Sequence, residues 1–144
     1  MNVEAILKAK GREVATVAPD AAVSEAVRLL HSRGIGALVV SADGNRIDGI
    51  VSERDLVHAL AQRAAVVLDL RVSELMTRRV VTCTPNDTIA ELMAEMTRRR
   101  IRHLPVVDRG RLVGLVSIGD LVKNRLEEME FETTSLRQFI AGAA

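Results

Sequence analysis

The chain contains one internal duplication, and that restricts the folds open to it. Shifted by 66 residues, positions 14–41 overlie 80–107, and eight of these 28 pairs are identical. They include Thr16/Thr82, Pro19/Pro85, Glu25/Glu91 and Leu38/Leu104. Ala42-Asp43-Gly44-Asn45 is one residue longer than Asp108-Arg109-Gly110, so the offset then becomes 65. From Arg46/Arg111 to Val57/Val122, seven of 12 pairs match. Fifteen identities in 40 pairs compare with about three from ordinary residue usage. The period is too long for a solenoid unit and fits a duplicated small domain.

The two copies share their hydrophobic periodicity. Val23, Ala26, Val27 and Leu30 make one apolar helix stripe, as do Ile89, Leu92, Met93 and Met96. Short strands are expected before these helices, at Val14–Val17 and Val80–Cys83, with Pro19 and Pro85 in the intervening turns. After each helix come a strand (Ala37–Ser41, His103–Val107), a Gly turn and a second strand (Ile47–Val51, Leu112–Val116). A closing helix begins at Ser52 or Ser117. The expected class is therefore α/β (α+β), two β-α-β-β-α units. A three-stranded sheet covered on one face leaves apolar surface, so the units should pack together. Beyond the repeat, Leu126, Met129, Leu136, Phe139 and Ile140 predict an amphipathic helical extension. It covers the module's own core or makes a dimer or partner contact.

Composition excludes several functions. Twenty Lys+Arg against nineteen Asp+Glu give a net charge of +1, no strong field for nucleic acid or an anionic membrane. No apolar run reaches the roughly 20 residues that span a bilayer. No export signal is read at the N-terminus, and the single Cys83 fits a reducing compartment, so a cytoplasmic location is expected. Trp and Tyr are absent and Phe131 and Phe139 are the only aromatics, too few for stacking on single-stranded nucleic acid. A bound base must lie between aliphatic side chains. His31, His58 and His103 with one Cys form no metal-ligand spacing. Cys83 lies in an expected strand without the context of a nucleophile. Neither phosphate-loop nor dinucleotide glycine motif is present. No metal and no catalysis are expected.

One motif stands out because it occurs twice: Gly49-Ile50-Val51-Ser52-Glu53-Arg54-Asp55 and Gly114-Leu115-Val116-Ser117-Ile118-Gly119-Asp120. Ser at the N-cap with an acid three residues on makes a capping box, which explains either copy on structural grounds alone. Two copies, each after a glycine and an apolar strand, also suit a ligand. A helix N-terminus offers free N–H groups to a phosphate. A carboxylate beside it can accept two hydrogen bonds from a ribose diol.

With Ile101-Arg102-His103-Leu104-Pro105-Val106-Val107 and the double repeat, this motif resembles a tandem pair of cystathionine-β-synthase-type (CBS) domains, or Bateman module. The resemblance implies a first CBS domain over 3–65, a second over 70–124 and a C-terminal helical extension over 125–144. It implies an adenine nucleotide (AMP, ADP or ATP) in clefts between the copies, AMP first among them. Family roles place Asp55 and Asp120 on ribose hydroxyls, Ser52 and Ser117 near phosphate or ribose, and Thr16 and Thr82 beside the nucleoside. Nucleotide-binding members carry a basic pair where this chain has Arg102-His103.

The copies differ at the phosphate side. Gly36-Ala37 aligns with Arg102-His103, and Gly119 aligns with Arg54. One well-equipped cleft is therefore expected, combining Asp55 and Arg54 with Arg102 and His103, and a weaker one around Asp120. The basic run Arg98-Arg99-Arg100, with Arg102, sits at a helix end, where charge complementarity to the helix dipole accounts for much of it and a phosphate or RNA role is the lesser reading. The expected function is a non-catalytic sensor, a homodimer read by a downstream protein. An NAD(H)-binding module and a purely structural dimerisation module are the alternatives.

Overall fold

The computed structural model describes residues 1–143; position 144, the last of the expected extension, lies outside the described residues. Copy one contains β1 (Thr16–Val17), α2 (Val23–Arg33), β2 (Ala37–Val40), β3 (Gly49–Ser52) and α3 (Glu53–Arg63), preceded by α1 (Val3–Lys10). Copy two contains α4 (Ile89–Arg99), β4 (His103–Asp108), β5 (Arg111–Ser117) and α5 (Ile118–Ala143). Two 3-10 turns, Ala64–Asp69 and Val72–Glu74, lie between them. In copy one β1 runs parallel to β2, which pairs antiparallel with β3.

Three expectations change. The strand over Val80–Cys83 reduces to one parallel bridge, Cys83 with Val106, so copy two's sheet has two strands. The strand expected over Val14–Val17 shortens to two residues, and the one at Ile47–Val51 starts at Gly49. Finally, no break separates copy two's last helix from the extension: α5 runs for 26 residues. Its C-terminal half leaves Phe131, Leu136, Phe139 and Ile140 exposed rather than covering the core.

Repetition in the sequence did not reveal how the segments leading into the copies are exchanged. Val72 N–H and Ser73 N–H donate to the carbonyls of Ala21 (2.8 Å) and Pro19 (2.9 Å). Val3 N–H and Glu4 N–H donate to Asp87 (3.0 Å) and Pro85 (2.9 Å), the same positions of the other copy. Each copy's leading segment thus docks on its neighbour. Val67 and Val72 join the buried cluster of Val23, Leu38 and Val51, while Val3, Ile6 and Leu7 join that of Ile89, Leu104 and Val116.

This exchange explains the motif glycines. A Cβ on Gly114 would lie 2.5 Å from Leu7 Cδ2, and one on Gly49 would lie 2.7 Å from Met76 Sδ and 2.9 Å from the Thr77 carbonyl. The two leading segments seat an apolar side chain in the same hollow of each copy.

Candidate functional site

Ser52 caps α3 as the motif requires. Its Oγ accepts from Asp55 N–H (3.3 Å), and Asp55 Oδ2 accepts from Ser52 N–H (2.9 Å) and from the Ser52 hydroxyl (3.0 Å). Asp55 is thereby held at the head of the helix with one oxygen engaged. No described residue donates to the other, Oδ1. Glu53 N–H donates to the Gly36 carbonyl (3.0 Å), which ties the start of α3 to the turn before β2.

Asp55 borders a cleft of about 1070 Å³ between the copies. Ser52, Arg54, Arg102 and His103 line the same cleft, so the expected grouping of two copies' residues is present. Its apolar wall comes from Ala37, Ile50, Val57, Val80, Val81 and Ile101, aliphatic throughout. Four arginines, Arg54, Arg79, Arg100 and Arg102, face two acids, Glu53 and Asp55. None of the four makes an ion pair among the described residues.

His103 is half-buried against Gly36, where an added Cβ would meet its ring at 3.3 Å. Burial pushes its imidazole below the ordinary 6.5, against the opposing pull of Asp120 and Glu53. At neutral pH His103 therefore enters the cleft as a neutral hydrogen-bonding ring, and the charge of the pair rests on Arg102.

The second motif is folded alike but differently occupied. Ser117 N–H donates to Asp120 Oδ2 (2.9 Å), and Asp120 N–H donates to Ser117 Oγ (3.2 Å). Lys10 Nζ, from the end of α1, also donates to Asp120 Oδ2 (2.7 Å) and to the Leu115 carbonyl (2.9 Å). Burial alone would raise the Asp120 carboxyl, but the Lys10 ammonium and the Ser117 N–H hold it below its ordinary value. Asp120 and Ser117 do not line the large cleft, and neither do Thr16 and Thr82. Thr16 sits in β1 opposite Val39, and Thr82 is exposed beside Cys83.

Cys83 is buried, and burial pushes its thiol up to about 12, far from the thiolate a nucleophile needs. Among the described residues no three metal-ligating side chains come together, and no helix is long and apolar enough to cross a membrane.

Sequence reasoning missed Thr77 and Arg79 in the cleft, while Arg100 reaches it from the basic run already singled out. The first two precede the detectable repeat, and a register in the leading segments was needed to find them. Met1/Leu70, Val3/Val72 and Glu4/Ser73 occupy matching positions in the hydrogen bonds to the two copies. Continued along the chain, that register places Lys10 opposite Arg79.

The geometry has parallels. A solved CBS-domain-containing protein of Agrobacterium tumefaciens is 48% identical, covers 86% of this chain and 92% of its own, and has a TM-score of 0.83. The mitochondrial CBS domain-containing protein CBSX3 of Arabidopsis thaliana is 31% identical over 95% of this chain and 70% of its own. The CBS domain pair of protein MJ0100, solved with 5′-methylthioadenosine and S-adenosyl-L-methionine, is 26% identical. It covers 89% of this chain and 98% of its own, with a TM-score of 0.78. The CBS domain model matches residues 7–62 and again 72–127. With two matched copies, exchanged leading segments and a cleft between them, the chain belongs to the CBS-domain family as a tandem pair.

Proposed function

We propose that the protein is a regulatory module that binds an adenine nucleotide in the large cleft and performs no turnover. The observation that supports this is the meeting, in one aliphatic-walled cavity, of a half-engaged carboxylate with unpaired arginines. Asp55 Oδ1 accepts from the ribose diol, while Ser52 holds the carboxylate in place. Arg102 carries the first phosphate through charge-assisted hydrogen bonds, and neutral His103 adds a donor. The base lies against the aliphatic wall, which suits a chain without Trp or Tyr. AMP is the smallest ligand that uses all these groups.

The MJ0100 pair, solved with two adenosyl compounds, supports the adenosyl part of this reading. Four arginines favour a phosphate over the sulfonium cation of S-adenosylmethionine. The site around Asp120 and Ser117 is the weaker one, because Lys10 already holds its carboxylate.

Calorimetric titration tests the assignment. Arg102→Ala should weaken AMP binding by about 1.5–3 kcal/mol, the scale of a hydrogen bond to a charged group. Adenosine, which has no phosphate, should be affected less. Equal losses for AMP and adenosine would remove Arg102 from the phosphate, and no binding of any adenosyl ligand would end the reading.

The same reading includes a cytoplasmic homodimer whose nucleotide-dependent shape is sensed by a downstream protein. Exposed Phe131, Leu136, Phe139 and Ile140 on α5 leave apolar surface for a second copy to bury. Light scattering at micromolar concentration should give twice the mass of 15.7 kDa.

A further inference from the structure

The last helix outruns the body of the molecule. Ile118 and Leu121 seat the start of α5 in copy two's core, with Leu121 fully buried. From Met129 to Gly142 every residue is exposed. That is about 20 Å of helix, at roughly 1.5 Å per residue, with no side of it buried. A solvated helix of this length is marginal by itself, since most helical stability in proteins comes from the packing of one face.

The exposed stretch is nonetheless patterned. Val122, Leu126, Met129, Thr133, Leu136 and Ile140 follow one another at alternating steps of four and three residues, and all but Thr133 are apolar. This is the heptad spacing of a coiled coil, with Leu126, Thr133 and Ile140 at one core position and Val122, Met129 and Leu136 at the other. The stripe begins while the helix still lies on the body: Leu121 is buried, yet Val122 and Leu126 are exposed. At about 3.6 residues per turn, the stripe lies roughly a quarter-turn from the face that meets copy two. The chain's own core therefore does not cover it.

Charge beside the stripe sets a direction. The positions flanking it are Lys123, Glu130 and Arg137 on one side and Arg125, Glu132 and Phe139 on the other. With a second copy running the same way, Glu132 of each meets Arg137 of the other, and Arg125 meets Glu130. With the copies running opposite ways and the whole stripe aligned, Glu132 meets Glu132 and Glu130 meets Glu130. Arg125 already holds Glu128 on its own helix at 3.5 Å. Glu132 and Arg137 make no ion pair among the described residues, so that pair carries the choice.

We infer that the stripe of α5 is the seam of a parallel two-stranded coiled coil with a second copy of this chain. This rests on the homodimer reading above and assigns it a face, a register and a direction. The seam takes Leu136 and Ile140, leaves Phe139 at its flank and leaves Phe131 on the opposite side of the helix. Isoleucine and leucine at these two core positions are the combination that favours two strands.

Sedimentation of the full chain at micromolar concentration is the test. Leu136→Glu should run as a 15.7 kDa monomer that still unfolds cooperatively, because Leu136 is exposed in the single chain. Phe131→Ser should leave the dimer unchanged. Arg137→Glu should weaken the dimer about tenfold, as two exposed ion pairs become repulsions, and adding Glu132→Arg should restore it. Leu136→Cys should link the two copies on oxidation, since equivalent core positions face each other only in a parallel pair; Cys83 is buried and does not compete. A dimer that survives Leu136→Glu overturns the seam and leaves the homodimer reading intact. Linkage only between mixed Leu126→Cys and Leu136→Cys chains, or no rescue by Glu132→Arg, also overturns the inference. A monomeric wild type removes the homodimer reading and the seam together.

Discussion

The two copies carry the same Ser-x-x-Asp motif with the same capping geometry, yet the two aspartates meet different surroundings. In both, the bonds from the protein fall on Oδ2, but Asp55 faces a cleft whose four arginines pair with no acid among the described residues. Asp120 is held by Lys10, which bonds the Leu115 carbonyl as well. In the register of the leading segments, Lys10 corresponds to Arg79, which borders the cleft and pairs with no acid among the described residues. A motif therefore sets where a carboxylate is held, and the segment packed over it decides which cation stands beside that carboxylate.

The comparison can be broken most severely through the core. Leu7 is fully buried over Gly114, although it precedes both copies in sequence. Leu7→Ala should destabilise the protein by about 2–5 kcal/mol in urea unfolding, the cost of a large-to-small change in a packed core. Met76→Ala should cost less, since Met76 is only half-buried over Gly49. A loss under about 0.5 kcal/mol for Leu7→Ala would mean that α1 is not part of copy two's core.

Ligand binding gives the next effect in size. Asp55→Ala should weaken nucleotide binding by about 1–3 kcal/mol, since a bound ribose hydroxyl would lose its acceptor. Asp120→Ala should change it far less, because Asp120 does not line the large cleft. Equal losses in calorimetry would refute the inequality of the two sites.

Lys10→Gln sharpens the same point with a small effect. Both side chains of the pair are partly exposed, so the ion pair contributes about 0.2–1 kcal/mol. In the wild type the Asp120 carboxyl lies below its ordinary 3.8. A depressed carboxylate contributes stability above the unfolded value and loses it as pH falls through the folded one. The variant should thus be less stable than wild type at neutral pH, with the gap closing below 3.8. NMR titration should show the Asp120 value rising in the variant. An unchanged Asp120 titration would show that Lys10 does not govern it.

Much of this arrangement is legible in the residues themselves. Fifteen matched positions and two helix stripes identify the repeat, because buried faces require apolar residues at a helical period. Ser52 with Asp55, and Ser117 with Asp120, identify the helix starts, because capping is local in sequence. The difference between the two copies is also written there, in Arg102-His103 against Gly36-Ala37. What pattern could not supply was the exchange of leading segments. The register of α1 on copy two depends on Leu7 meeting Gly114, more than a hundred residues away, and no local periodicity encodes such a pairing. For the same reason the sequence does not place Lys10 on Asp120 or Arg79 at the cleft. Nor does charge patterning reveal that His103 is neutral, since its shift comes from burial between two copies. Local propensity and periodicity belong to the chain, whereas long-range contact, enclosure and desolvation arise only when its distant parts are packed together.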